Sequence, residues 1–507
     1  MHDVPPFRKL LVANRGEIAL RVIRACRELG IVPVAIYSEA DRDALHVQAA
    51  AEAYCVGPAP SAQSYLRGDV ILEVAKQAGV DAIHPGYGFL SENPTFARAV
   101  TNAGIAFVGP PPSAMEAMGD KVTARRAMEA AGVPVVPGTT DPIQDPAEAL
   151  VTAEQVGVPL MIKASAGGGG KGMRRVDDPA DLPGAIRAAQ SEARNSFGDD
   201  RVYIEKFIEN PRHVEVQILS DTHGNHLHLF ERDCSVQRRN QKLVEETPCP
   251  VLDDATRDRM TSVATKAAAA VDYVGAGTVE FLLSPDGDFF FLEMNTRLQV
   301  EHPITELTTG IDLVHAQIRI AAGEAIDVRQ EDIVPTGHAI EVRLCAEDPT
   351  ENFRPSPGRV DDYRVPEGPW VRMDAALYPG YEVPIHYDPM IGKLIVWGRD
   401  RAAAIGRMKR ALGELVLTGL TTNVGFFLAV LDHAPFREGV YDTGYIGRFW
   451  GTELTVPEGD DVETAVLVAA IAAKLAEEDA ARNTAPAGGS DAGGWKMAGR
   501  LRTLGRS

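Results

Sequence analysis

The 507-residue chain has little cysteine, no long apolar run and no excess of positive charge. Its five cysteines (Cys26, Cys55, Cys234, Cys249, Cys345) are odd in number and far apart, with no Cys-x-x-Cys pair. That spacing argues against a disulfide framework and against a zinc cluster. No stretch reaches about 18 uninterrupted apolar residues, so no transmembrane helix is predicted. The opening Met1-His2-Asp3-Val4-Pro5-Pro6 lacks the basic and apolar regions of a signal peptide. Together these absences predict a cytoplasmic protein. There are 51 Lys and Arg against 71 Asp and Glu, a formal charge of −20. Nucleic acid and anionic membrane are therefore disfavoured as main partners, although a local basic pocket can still take an anionic substrate. The chain lacks a Gly-x-Gly-x-x-Gly fingerprint, which disfavours a dinucleotide dehydrogenase. No internal repeat is visible.

What is present is ordinary for a folded enzyme: 45% hydrophobic and 24% charged residues. The length allows roughly three or four domain-sized units. Early on, strand and helix alternate. Leu10-Leu11-Val12-Ala13 reads as a buried strand, and Ile18, Val22, Ile23, Cys26 and Leu29 recur at helical spacing. Gly30 closes that helix, and Val32 to Tyr37 reads as the next strand. This βαβ start predicts a doubly wound parallel sheet. The run from His84-Pro85-Gly86-Tyr87 to Ser91-Glu92-Asn93 reads as a functional loop after a strand. A second unit holds the strand Leu160-Met161-Ile162-Lys163, and a third is rich in antiparallel-strand patterns to about Trp450. Beyond it, Val462 to Arg482 reads as an Ala-rich helix with a narrow apolar face at Val466, Ala469, Ala470, Ala473 and Ala476. Residues 484–494 read as a linker and 495–507 as a basic end with a weak strand pattern.

Three segments carry chemistry. The first runs from Lys163 through Gly167, Gly168, Gly169, Gly170, Lys171 and Gly172 to Met173. Four consecutive glycines cannot hold a helix or a stable strand, but they can turn several backbone N–H groups on phosphate oxygens. Without Gly-Lys-Ser/Thr this is not a Walker A loop. The second segment is Thr278 to Asn295, a predicted hairpin turning at Asp286-Gly287. A turn centred between those residues sets Glu280 against Glu293, Phe281 against Leu292 and Leu282 against Phe291. Two facing carboxylates repel, and a divalent cation between them removes the conflict. Asn295, two residues past Glu293, shares its face as a third oxygen ligand. The third is Arg297-Leu298-Gln299-Val300-Glu301-His302-Pro303, where alternation puts Arg297, Gln299 and Glu301 on one side. Arg can grip two oxygens of a small planar oxyanion while Glu takes a proton. Glu205 to Glu215 and Gln237 to Lys242 are polar runs that are not specific alone.

In this order, the segments together resemble an ATP-grasp enzyme of the biotin carboxylase family, over residues 7–450. The resemblance rests on Arg15-Gly16-Glu17-Ile18-Ala19, the His84–Asn93 loop, Met118-Gly119-Asp120-Lys121, the glycine loop, Glu280, Glu293 to Pro303, and Glu341 to Pro349. It implies an α/β fold, α+β toward the end. A doubly wound N-terminal domain (1–118) would precede a mobile glycine-loop lid (119–206). A larger mixed domain (207–450) and a helical tail and linker (451–507) would follow. It implies ATP contacts at Lys121, Lys163, the 167–173 loop, Glu205, Lys206, Phe207, His213, Gln237, Asn240 and Leu282. Phosphates would fall to Lys121, Lys163 and His213, and adenine to Glu205 and the backbone near Phe207. Glu280, Glu293 and Asn295 would bind Mg²⁺ or Mn²⁺. Lys242, Arg297, Gln299 and Val300 would hold bicarbonate, with Glu301 as its base. Arg343 would stabilise the biotin enolate, and Tyr87 would line the biotin pocket. Asn240 departs from members that carry histidine there and resembles the acyl-CoA carboxylase α-subunit branch. Trp495-Lys496-Met497 is a near miss to the Met-Lys-Met turn that carries biotin, and ten residues follow it. Biotin is therefore expected on a partner. The implied partners are a biotin carboxyl carrier protein and carboxyltransferase chains, in a homo-oligomer or larger complex, as in acetyl-CoA or acyl-CoA carboxylase; the ATP-binding subunit of a two-subunit pyruvate carboxylase, or a different ATP-grasp ligase, is the alternative. The tail resembles the opening of the subunit-contact region in longer α-chains.

Overall fold

The structure is a computed structural model, and it describes residues 5–139, 141–143, 146–165 and 173–456. The packed body continues to Val456. The glycine loop and the tail beyond Val456, with the readings made for them, lie outside the described residues.

The expected parallel sheet is there. Its five strands run in the order Glu52–Gly57, Val32–Ser38, Lys9–Val12, Ala82–His84 and Ala106–Phe107, all parallel. The apolar stripe of the helix Gly16–Glu28 buries Ile18, Val22, Ile23 and Cys26 against it. Strand order reverses between Lys9–Val12 and Ala82–His84. In a doubly wound sheet that is where a crevice opens, at the carboxyl ends of the strands. Asn14, just past the first strand, donates from Nδ2 to the carbonyls of Pro85 (2.7 Å) and Tyr87 (2.8 Å). Gly86 takes a φ of +63°, and a Cβ there would stand 3.0 Å from Asn14 Nδ2. A glycine is therefore needed for the two loops to meet. This junction aims Glu17, Tyr87 and Glu92 toward the rest of the chain.

A small antiparallel sheet follows, in the order Arg174–Val176, Leu160–Ala164, Val202–Lys206. Its core is Leu160, Ile162, Val176, Ile186 and Ile204. An eight-stranded sheet is the largest sheet of the body. Its order is Phe289–Asn295, Gly275–Leu283, Arg212–Ser220, His226–Arg238, Gln241–Thr247, His338–Cys345, Met390–Gly398 and Val371–Ala375. The neighbouring strands are antiparallel. The polar run 237–242 is a hairpin end: Arg238 pairs Gln241, and Arg239 and Asn240 have φ of +51° and +65°. Two positive-φ residues make the tight turn that suits strand twist, and asparagine tolerates it well.

Two expectations need correction. Glu280 does face Glu293, but Phe281 pairs Phe291 and Leu282 pairs Phe290, with a register shift between Glu280 and Phe281. Leu292 is thus the extra residue of a bulge, which plain turn counting does not foresee. Arg297 to Val300 is not a strand. The segment is a loop that runs into the helix His302–Thr309, with Glu301 at its N-cap position.

Candidate active site

The hairpin supplies one wall. Glu280 is buried at 4% exposure and collects four donors. Its Oε1 accepts from Lys242 Nζ (2.8 Å), Asn295 Nδ2 (2.8 Å) and Gln299 Nε2 (2.9 Å). Its Oε2 lies 2.9 Å from His213 Nε2. Burial opposes its charge, but Lys242 and His213 outweigh that and hold Glu280 well below the usual carboxylate range. Glu293 opens on the cleft. Its withdrawal from bulk water and the charge of Glu280 push its carboxyl up, against the pull of Lys121.

Behind the hairpin, Lys242 Nζ donates to Glu301 (2.7 Å) and also to Glu215. Burial works against the ammonium, yet Glu215, Glu280 and Glu301 hold it charged well above the lysine range. Arg343 donates from Nε to Glu245 (2.6 Å) and from an Nη to Glu301 (2.9 Å). Glu301, 1% exposed, is held ionised by Lys242, Arg343 and Arg232 despite its burial. Arg297 donates to Glu92 (2.8 Å) and to the Asn295 oxygen (3.0 Å). The loop and the helix start thus bring Arg297, Gln299 and Glu301 together without strand alternation.

Two clefts flank this cluster. One, of about 260 Å³, is lined by Lys121, Glu205, Glu293 and Asn295. Lys121 begins a helix whose N-cap, Asp120, accepts from Thr123 N at 2.8 Å. Across it Lys163 Nζ stands 2.5 Å from Glu205, which also takes Arg125 at 3.1 Å. Leu282 lies in register with His213 at the back of the hairpin. The other cleft, of about 500 Å³, is lined by Tyr87, Gln241, Arg297, Val300 and Arg343. The Glu92–Arg297 ion pair stands between the two, since Glu92 lines the first and Arg297 the second. Tyr87 donates its hydroxyl to Glu17, and the Val300 carbonyl accepts from Lys393.

Family models match almost the whole body. "Biotin carboxylase, N-terminal domain" covers residues 6–115, "Carbamoyl-phosphate synthase L chain, ATP binding domain" residues 120–329, and "Biotin carboxylase C-terminal domain" residues 341–448. The biotin carboxylase of Nostoc sp. is 54% identical over 440 residues, 87% of this chain and 98% of its own. The chain belongs to the biotin carboxylase family. Its fold is accordingly ATP-grasp, and it is a ligase. A biotin carboxylase–ATP complex from Campylobacter jejuni matches at a TM-score of 0.84 and 48% identity, over 87% of this chain and 99% of that one. The propionyl-CoA carboxylase alpha chain of Ruegeria pomeroyi is 49% identical over 488 residues, 92% of this chain and 72% of its own.

Within this biotin carboxylase architecture several family positions are tied into the fold. The amides of Lys206 and Phe207 donate to the carbonyls of Pro137 (2.7 Å) and Pro159 (2.9 Å). Lys206 Nζ reaches the carbonyls of Val156, Gly157 and Val158 at 3.3–3.4 Å. Gln237 and Asn240 sit at the hairpin end, and Met173 is exposed. Asn295 turns its nitrogen to Glu280 and its oxygen to Arg297, which leaves that oxygen a second lone pair. A divalent cation fits: the facing pair Glu280 and Glu293 supplies hard oxygen donors at the mouth of the cleft that Lys121 enters.

Sequence reasoning gave no role to Glu17, Glu92, Glu215, Arg232, Glu245 or Lys393. For Glu215 and Lys393 the usable signal was a charged residue inside an apolar strand. Lys393 interrupts Met390-Ile391-Gly392 and Leu394-Ile395-Val396, and Glu215 interrupts Val214 and Val216.

Proposed function

We propose that the chain carboxylates biotin on a separate carrier protein, using ATP and bicarbonate through carboxyphosphate. The observation that carries this is Glu301: a buried, ionised carboxylate between Lys242 (2.7 Å), which also holds Glu280 of the facing pair, and Arg343 (2.9 Å), which lines the larger cleft. In this scheme Lys242, Arg297, Gln299 and the Val300 backbone hold bicarbonate, and Glu301 takes its proton. The carbonate oxygen attacks the γ-phosphorus of ATP, and ADP leaves. Lys121, Lys163, His213 and the 167–172 loop hold the phosphates in line, with Glu205 beside the adenine. Mg²⁺ or Mn²⁺ on Glu280, Glu293 and Asn295 would neutralise phosphate charge. Carboxyphosphate then breaks to CO₂ and phosphate. The phosphate takes the biotin N1′ proton, and N1′ captures CO₂. Arg343 offers a permanent planar charge to the enolate oxygen, with Tyr87 beside it.

The division at 118 and 206 belongs to the same proposal, and the last boundary moves from 450 to Val456, where the packed body ends. Support for the biotin carboxylase half-reaction comes from the biotin carboxylases of Nostoc sp. and Bacillus subtilis, which this chain matches over 98% and 99% of their lengths. Support for ATP, Mg²⁺ and bicarbonate comes from a 2-oxoglutarate carboxylase domain of Hydrogenobacter thermophilus. It was solved as a dimer with MgADP, ADP and bicarbonate, at a TM-score of 0.83, 46% identity and coverage of 87% and 98%. The partners in this scheme are a carrier and carboxyltransferase chains, within a homo-oligomer or larger complex. The final acyl acceptor never meets this half-reaction, and capture of the biotinylated partner identifies it. The direct test is phosphate release from ATP with and without bicarbonate, at rising free biotin. Bicarbonate dependence and stimulation by biotin are expected. Equal rates with and without bicarbonate refute the proposal.

A further inference from the structure

Arg232 has no solvent exposure, and each of its five N–H groups has a partner. Nε donates to Glu215 Oε1 (2.6 Å). One Nη donates to Gln217 Oε1 (2.6 Å) and Thr305 Oγ1 (2.9 Å), the other to Thr278 Oγ1 and Gln299 Oε1 (both 3.2 Å). Its partners come from two strands, the 296–301 loop and the helix His302–Thr309. A guanidinium offers donors only, so the Gln299 oxygen must face it. The Gln299 NH₂ group is thereby turned the other way, and it meets Glu280 at 2.9 Å. The second oxygen of Glu215 accepts from Lys242. One fork thus fixes an amide as donor and, through a carboxylate, fixes an ammonium.

We propose that Arg232 is a positioning residue for the oxyanion pocket: it holds Gln299 as an N–H donor and anchors Lys242 through Glu215. It need not touch the anion. The inference rests on the bicarbonate role proposed above. A lysine at this position keeps the charge, but its single ammonium cannot reach Glu215 and Gln299 as a planar fork does. Without the fork only Glu280 still holds the amide, and an amide turned over would present its carbonyl oxygen to the anion, which repels it.

The experiment measures initial rates of ATP cleavage in the full chain, with ATP and bicarbonate varied separately. Wild type comes first. A rate independent of bicarbonate there overturns the proposed function and the pocket with it. Where wild type depends on bicarbonate, Arg232→Lys should raise KM for bicarbonate at least tenfold and leave KM for ATP within about twofold. In a Gln299→Ala background the same change should add less than threefold, because one of its two targets is gone. Should Arg232→Lys not fold, Glu215→Gln decides by the same KM split, since the amide still accepts from Arg232 but loosens Lys242. A folded variant with unchanged KM for bicarbonate overturns the inference. So does an equal rise in both KM values, which marks a structural role alone.

Discussion

Glu293→Gln separates the metal site from the fold. Facing residues on paired strands have Cβ atoms about 5 Å apart, and the carboxylates are taken at a similar separation. At that distance two unit charges repel by roughly 3 kcal/mol at an effective permittivity of about 20. Glu293 opens on the cleft, so solvent screening reduces this to about 1 kcal/mol, and Lys121 offsets part of it. Glutamine keeps the size and one oxygen but removes the charge. Metal-free stability should hold, or rise by at most about 1 kcal/mol, roughly 2 °C or less in melting midpoint for a chain of this size. Turnover at ordinary Mg²⁺ should fall by about 10²-fold or more, because a cation loses half of its facing carboxylate pair. Raising Mg²⁺ should restore part of it. The assays are melting in chelator and phosphate release over a Mg²⁺ titration. Undiminished turnover at ordinary Mg²⁺, or a metal-free variant that melts several degrees lower, refutes the reasoning.

Arg343→Ala should cut carboxybiotin formation by about 10²-fold, the scale of losing one oxyanion donor. It should also relax Glu301, which Arg343 contacts at 2.9 Å, so ATP cleavage falls less and its acid limb moves to higher pH. Matched losses of both activities, with no shift, count against a biotin-side role. His46 is fully buried beside Asp41, and burial first, then Arg15, pushes it down to about 4. Its protonated form is favoured in the unfolded chain, so stability is lost as pH falls from about 6.5 through about 4, some 2 kcal/mol by pH 5. His46→Gln should flatten that slope in urea melts at pH 5 and 7.5, and an unchanged slope rules the assignment out. Truncation should fall after Val456 and not after Trp450, because Leu454 is buried and its amide donates to Phe449 O at 2.8 Å. That cut should leave the free-biotin reaction intact and weaken co-purification with the carrier. Undiminished complex formation excludes the tail as a docking element.

The sheets and the opposed glutamates were legible because periodicity and a turn fix them locally. Counting from Asp286-Gly287 put Glu280 opposite Glu293 although the pairs nearer the turn are displaced. The bulge at Leu292 adds one residue and so restores the count at the pair that matters. The convergence of Arg297, Gln299 and Glu301 was also anticipated, but for a reason the structure replaces: a loop entering a helix does it, not a strand. The clamps were not legible. Glu92 meets Arg297 across 205 residues, and the partners of Arg232 lie 15 to 73 residues away. A sequence shows that a charge interrupts an apolar strand, but not which distant charge answers it. The interruption is informative in itself. Glu215 and Lys393 each have 0% exposure. Burying such groups costs several kcal/mol apiece unless every lone pair and proton is met. A fold stabilised by packing alone has no use for them. Where strands break their own apolar pattern with charges that answer one another, the expenditure marks the place where charge has to be held still for chemistry.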